Sequence, residues 1–288
     1  MRHLFYGISA IIFWGTSFLA TKILIANHLS PMQISFLRLF IVWVAMLFIK
    51  DKDSKPIAKS DLKYFYVMGI LGITFFYYFE NTGLKYTTIA NTSLITSIIP
   101  FFTLIYARIF LKKKLIWKNI LGFPLGIMGT ALLFYRDISA VHIKGDLLVF
   151  ISVFFWIFYS FAYDKISGKY SQLQILKTIF GIGMLGVIPF LIFEYKSFAQ
   201  INVNSDTFLA LFYLSLICTL LAYLLWNNAI KNLGIKITSN LILFIPIISI
   251  IIGILFWNEP FSYNLIWSAI LILTGSYLTS QNRKNSNF

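Results

Sequence analysis

The sequence predicts an all-α membrane protein of ten transmembrane helices, built as two inverted repeats of five helices each. Three observations predict this fold class. Hydrophobic residues make up 59% of the 288 positions and charged residues only 12%, against roughly 45–50% and about 25% in soluble proteins. Apolar segments of span length recur along the whole chain, and the second half repeats an ordered series of residues from the first.

The composition excludes an ordinary soluble domain. With a mean hydropathy of +0.81, the chain has more apolar surface than a soluble domain of this size can bury. A bilayer removes this difficulty, because lipid then solvates the outside of the protein, and each crossing takes about 20 apolar residues as helix. Ten spans and short loops fill 288 residues, so we expect no soluble catalytic domain.

The ten spans are apolar segments bounded by charged or turn residues. They lie at about 4–25, 31–50, 63–83, 88–109, 116–135, 145–164, 172–194, 207–229, 237–257 and 262–280. We expect the first repeat to cover residues 1–138 and the second to cover 143–282, with a polar tail at 283–288.

The distribution of positive charge predicts the orientation. The net charge of +14 is expected to come from cytoplasmic loops, so no nucleic-acid partner is predicted. If both termini are cytoplasmic, 18 Lys and Arg residues fall on the cytoplasmic side and five outside, which leaves Arg38 within a span. This positive-inside bias predicts a multi-pass protein of a bacterial cell membrane with both termini in the cytoplasm.

The second half of the chain repeats residues of the first half in the same order, which indicates an internal duplication. The matched residues include Asn81 with Asn227, Thr92 with Thr238 and Pro100 with Pro246 at one constant shift, and Trp14 with Trp156 at a slightly smaller one. Because five spans is an odd number, the second copy must enter the membrane in the opposite sense. Inverted repeats are common in transporters, which bind substrate near the membrane midplane where the repeats meet.

Several motifs carry a family resemblance over essentially the full length. They are Phe13-Trp14-Gly15-Thr16-Ser17-Phe18, Ser30-Pro31 followed by Leu37-Arg38, Ala90-Asn91-Thr92-Ser93 leading to Pro100, Trp257-Asn258-Glu259-Pro260, and the glycines of spans 5 and 10. In this order they resemble the EamA-type branch of the drug/metabolite transporter superfamily.

The resemblance implies ten helices and a central cavity lined largely by spans 3, 4, 8 and 9. It also implies export or exchange of amino acids or related metabolites. The family often has a glutamate after span 4, where this chain has Lys113. A structural role that pairs this position with Glu259 is therefore in doubt.

Two prolines occupy matching places in spans 4 and 9. Pro100 and Pro246 each remove a backbone donor and are expected to bend their helices. The bends are either static kinks supported by neighbouring helices or hinges that move during transport. Their matching places favour the hinge.

Polar side chains form a strip on span 4. Thr88, Asn91, Thr92 and Thr96 fall on one helical face. They either bond between helices or bind substrate, together with Asn240 in span 9. Asn91 is the best single candidate, because its amide offers both a donor and an acceptor to a zwitterionic ligand.

Aromatic residues form a second candidate group. Trp14 and Trp156 occupy matching places in spans 1 and 6, and Tyr78 and Tyr223 lie on spans 3 and 8. They either pack helices together or form a wall of the substrate cavity.

Two ionisable residues lie within spans. Arg38 falls in span 2 and Glu80 near the outer end of span 3. Such residues are costly in a membrane and are usually paired or functional. They are expected either to form a structural ion pair with each other or to contact substrate.

The predicted function is a carrier that uses alternating access and works as a monomer, with a small-molecule substrate and the lipid bilayer as its partners. No motif for ATP hydrolysis, metal binding or nucleophilic catalysis is visible, so neither a cofactor nor enzymatic activity is expected. Because no acidic residue lies near the middle of a predicted span, uniport or exchange ranks above proton antiport. An importer of a nucleotide-like or cofactor-like metabolite and a non-transporting scaffold remain as alternatives.

Overall fold

The computed structural model describes residues 2–110, 116–135, 140–193 and 201–281, and within these ranges the chain is helical with short turns and no strand. The α-helices are α1 (Arg2–Ala26), α2 (Pro31–Leu47), α3 (Leu62–Tyr66), α4 (Phe76–Tyr86), α5 (Ile89–Thr96), α6 (Ile99–Phe110), α7 (Trp117–Tyr135), α8 (Ala140–Ile166), α9 (Gln172–Phe193), α10 (Ser205–Phe212), α11 (Ala222–Ile242), α12 (Ile245–Trp257) and α13 (Tyr263–Ser280). Two π-helices, π1 (Val67–Phe75) and π2 (Tyr213–Leu221), join α3 to α4 and α10 to α11.

The helices have the length and apolarity of a multi-pass membrane protein. Five stretches in the described ranges are long and apolar enough to cross a bilayer, namely Arg2–Ala26, Leu62–Tyr86, His142–Ile166, Gln172–Ile192 and Ser205–Gly234. Shorter apolar helices cover Pro31–Leu47, Ile89–Phe102 and Ile245–Trp257. The helical fold agrees with the prediction, and the count of ten spans stays a prediction.

The two π-helices occupy equivalent places in the repeat. Moving Val67–Phe75 by the shift that relates Asn81 to Asn227 gives Tyr213–Leu221, the bounds of π2. In each π-helix a buried threonine hydroxyl bonds to the carbonyl five residues back, from Thr74 to Gly69 at 3.3 Å and from Thr219 to Leu214 at 2.8 Å. π-Helical turns are frequent at functional sites, and the sequence pattern predicted plain spans here.

Both predicted proline bends are present, as breaks between two helices and not as kinks within one. α5 ends at Thr96 and α6 begins at Ile99, while α11 ends at Ile242 and α12 begins at Ile245. Pro100 and Pro246 therefore lie in the first turn of the helix that follows, where a missing N–H costs nothing. Their role as hinges stays a prediction.

α11 also changes direction at Gly234. The backbone there has φ 80° and ψ 159°, so two helical pieces meet at this residue. Residues other than glycine rarely adopt such a positive φ. The side chain of Asn240, in the second piece, lies outside the described part of the structure, and its predicted role in substrate binding stays a prediction.

The last helices of the two halves, α7 and α13, meet at a pair of glycines. A Cβ atom on Gly122 would lie 2.6 Å from the carbonyl oxygen of Gly275, and one on Gly275 would lie 2.6 Å from the carbonyl oxygen of Gly122. The backbones approach this closely only because both side chains are hydrogen, as in other helix pairs that pack through small residues.

A loop of the first half binds the turn between α8 and α9. The carboxylate of Asp61 accepts hydrogen bonds from Lys169 Nζ at 2.9 Å and from the Tyr170 hydroxyl at 2.9 Å. The bond from Lys169 holds the pKa of Asp61 below its usual range. This contact is therefore charged at neutral pH and weakens only as the pH falls through that lowered pKa.

Candidate functional site

A cavity of about 60 Å³ lies among the helices, which is room for a few water molecules at about 10–15 Å³ each. The first half contributes Trp14, Ser17, Phe18, Arg38, Phe76, Tyr77, Glu80, Thr96 and Ile99, and the second half contributes Val153, Trp156, Tyr223, Ile242 and Ile245. The lining thus includes the residues on both sides of the helix breaks at Pro100 and Pro246.

Much of this lining is made of residues that the repeat relates to each other. The equivalent pairs are Trp14 with Trp156, Tyr77 with Tyr223, Thr96 with Ile242 and Ile99 with Ile245. The two tryptophan rings meet edge to face with centroids 5.4 Å apart, and the two tyrosine hydroxyls lie 3.4 Å apart. Residues that are equivalent in the two halves therefore face each other across the cavity.

Trp14 and Trp156 both line the cavity, and both also pack against other helices. The indole N–H of Trp14 donates to the carbonyl of Cys218 at 3.0 Å, which orients its ring. Trp156 stacks on Tyr159 with a centroid distance of 5.2 Å. These contacts fix both rings, so the wall they form is rigid and apolar.

The two predicted tyrosines lie in different places. Tyr223 lines the cavity and is 1% exposed. Tyr78 lies outside the lining and packs against Phe190 of α9, with ring centroids 4.9 Å apart. Its neighbour Tyr77, which the repeat relates to Tyr223, lines the cavity instead.

Arg38 and Glu80 both line the cavity and are 4% and 8% exposed. The Nε atom of Arg38 donates to the Thr219 hydroxyl, and its Cζ atom lies 4.4 Å from the centroid of the Tyr77 ring. Among the described residues, Glu80 makes no hydrogen bond, and no ion pair joins it to Arg38. The structural Arg38–Glu80 pair and the contact with substrate therefore both stay predictions.

The polar strip of α5 contacts protein and, except for Thr96, lies outside the cavity lining. The Thr88 hydroxyl caps α5 by accepting from the backbone N–H of Asn91 at 3.0 Å, and the Thr92 hydroxyl donates to the Thr88 carbonyl at 2.8 Å. The Asn91 amide donates to both carboxylate oxygens of Asp146, at 3.3 and 3.1 Å. The predicted roles of Thr88, Asn91 and Thr92 in substrate binding stay predictions that no contact here supports.

The start of α5 is held by groups from three other elements. Glu259, after α12, accepts from the backbone N–H groups of Ile89 at 2.5 Å and Ala90 at 3.0 Å. Lys22 of α1 donates to the Thr87 carbonyl at 2.6 Å. Together with Asp146 of α8, these contacts fix the start of α5. Lys113 lies outside the described residues.

The side chains that line the cavity are of types that bind small molecules. Its described lining residues provide aromatic faces, a guanidinium and a carboxyl group. Across the described part of the chain no group of three or more His, Cys, Asp or Glu side chains is placed to hold a metal ion.

Comparisons with known proteins agree with this architecture. The EamA-like transporter family matches residues 1–135 and 143–281. An uncharacterized transporter of Archaeoglobus fulgidus is 27% identical over 286 residues, with 96% of each chain covered. A probable amino-acid metabolite efflux pump of Salmonella typhimurium is 22% identical over 284 residues, covering 95% of this chain and 93% of its own.

A protein of known crystal structure shares the fold, with a TM-score of 0.68 and 17% identity, covering 97% of this chain and 98% of that one. This likeness supports the fold alone. Because the family matches both halves and nearly the whole length, the chain belongs to the EamA-like transporter family.

Proposed function

We propose that this protein is a secondary transporter that moves a small metabolite, an amino acid or a related compound, across the cytoplasmic membrane by export or exchange. The observation that carries the proposal is the cavity lined by repeat-equivalent residues of both halves. The relatives named as probable amino-acid metabolite efflux pumps support the choice of substrate.

The proposed architecture has ten spans in two inverted repeats, at residues 1–138 and 143–282. Equivalent π-helices and equivalent breaks near Pro100 and Pro246 support it, because the same distortions recur in both halves. Two such halves can open to either side with similar energy. The breaks would absorb the change in angle as one half moves against the other.

Cysteine labelling tests this topology. A cysteine at Lys55 is expected to react only with a reagent that reaches the cytoplasm, and one at Lys144 only with a reagent outside, since an odd number of spans separates them. Both positions are exposed, and the single native cysteine, Cys218, is buried. Labelling of both positions from the same side would contradict the inverted arrangement.

Flux through the cavity tests the function. Purified protein in proteoliposomes is expected to show counterflow of at least one amino acid, measured over a panel of metabolites with and without a pH gradient. Ser17→Phe should abolish this counterflow, because the ring occupies the cavity that Ser17 lines. Ile12→Phe is the matched control on the exposed face of the same helix, and its flux should equal that of the native protein.

An importer of an anionic, nucleotide-like metabolite is the second candidate, and the position of Arg38 in the cavity favours it. Counterflow of nucleotides without counterflow of amino acids would select it. Absence of flux for every solute, in protein that keeps its native melting temperature, would contradict transport itself.

A further inference from the structure

We propose that Arg38 and Glu80 determine which substrates the cavity accepts, by binding opposite ends of a zwitterion. Arg38 takes the carboxylate, Glu80 takes the ammonium group, and the side chain of the substrate lies against the wall formed by Trp14, Trp156 and Tyr223. Because the cavity of this structure has a volume of about 60 Å³, the proposal requires a wider cavity when substrate is bound. The inference rests on the proposed transport function and assigns its selectivity to two named charges.

Arg38 is positioned as a carboxylate receptor. Thr219 accepts from its Nε and the Tyr77 ring lies under its guanidinium, so the side chain is held in one orientation. A guanidinium carries five N–H donors in a plane that matches a carboxylate. The donors on its two terminal nitrogens have no partner among the described residues, and the residue lines the cavity.

Glu80 is positioned to receive the ammonium group of the same substrate. Its side chain is more than nine-tenths buried, lines the same cavity and makes no hydrogen bond within the described part of the chain. A buried carboxyl group without a hydrogen-bond partner is costly, and in a membrane an ionisable residue usually marks a functional site. A substrate ammonium group supplies both the opposite charge and the missing donors.

The cavity as a whole has the charge pattern of a zwitterion site. Arg38 contributes a guanidinium and Glu80 a carboxyl group, and no other described residue of the lining is acidic or basic. The repeat places Trp226 opposite Glu80 in the alignment, and among the described residues no acidic or basic side chain of the second half lines the cavity. The aromatic wall thus follows the symmetry of the repeat, and the two charges depart from it.

Three matched pools of solutes test the assignment. Each pool is added as a competitor while the counterflow of the solute that the native protein transports is measured. The pools are alanine, leucine and phenylalanine, the carboxamides of the same three, which lack the carboxylate, and their N-acetyl forms, which lack the ammonium group. In the native protein the free amino acids are expected to compete at least tenfold better than either derivative. Equal competition by all three pools would overturn the inference, whatever the variants do.

Two variants then assign each charge. Glu80→Gln replaces the carboxyl group with an amide of nearly the same size. The substrate preference of this variant should move at least tenfold from the free amino acids towards the N-acetyl pool. Arg38→Gln should move the preference equally towards the carboxamides. Asp164→Asn, at an exposed position on α8, is the control and should keep the native preference.

The failures are distinguishable. If other solutes show counterflow and the amino-acid pool has no advantage, this inference is wrong and transport stands. If Glu80→Gln and Arg38→Gln fold, as judged by their melting temperatures, and keep the native preference, the two charges do not set it. If no solute at all shows counterflow, the result contradicts the proposed transport function instead.

Discussion

Replacing Glu259 with alanine is expected to lower the free energy of unfolding by about 1.5–3 kcal/mol, the range for losing a buried hydrogen bond to a charged group. The carboxylate accepts from the first two N–H groups of α5 and is 9% exposed. Those N–H groups have no partner within their own helix, and water does not replace the lost acceptor easily at a buried site. The negative charge also interacts favourably with the helix dipole at this end.

The melting temperature of the purified protein in detergent measures this effect. Glu259→Gln keeps one acceptor oxygen and should fall between the native protein and Glu259→Ala. Asp164→Ala removes a carboxylate that is exposed on α8 and should leave the melting temperature unchanged. If Glu259→Ala has the same melting temperature as the Asp164→Ala control, the capping contact does not stabilise the fold.

Composition and the internal repeat were sufficient to predict a helical membrane protein, because apolar segments of span length have few alternatives in a bilayer. The π-helices could not be predicted in the same way. Apart from Thr74, Val67–Phe75 is apolar on all sides, so there is no polar face whose spacing would show how many residues make a turn. The equivalent distortion in Tyr213–Leu221 becomes visible only once the backbone is seen.

The residues of the candidate site could likewise be predicted only in part. Trp14, Trp156, Tyr223, Arg38 and Glu80 line the cavity, and each was singled out as an aromatic residue or a charge within a span. Burial of a charge is costly enough that its presence alone is informative.

Asn91 illustrates what the sequence could not provide. Its helical face was predicted, but its partner Asp146 comes from α8, and the rotation of one helix about its axis relative to another is not readable from an apolar sequence. A hydrogen-bonding residue of a span therefore predicts a contact within the membrane more surely than it predicts the partner.

The second large effect is expected at the contact between α7 and α13. Gly122→Ala should lower the free energy of unfolding by about 1–3 kcal/mol, the range for overpacking in a tight interior. The added methyl group would meet the Gly275 carbonyl oxygen at 2.6 Å, and a backbone atom cannot move aside as the end of a flexible side chain can. The same Cβ would lie 2.8 Å from Leu278 Cβ and 2.9 Å from Thr279 N, and Gly122→Val should lower the free energy of unfolding further because it adds two more methyl groups at this crowded point.

Gly168 supplies the control, because a Cβ added there has no atom within 4 Å and its φ is not positive. Gly168→Ala and Gly168→Val should keep the native melting temperature while the Gly122 series falls stepwise. The graded loss separates steric contact from helix propensity, since alanine is a better helix former than glycine and would by propensity alone stabilise α7. A Gly122→Ala protein as stable as the native one would mean that the two helices can separate, and that the last helices of the two halves are not held in close contact.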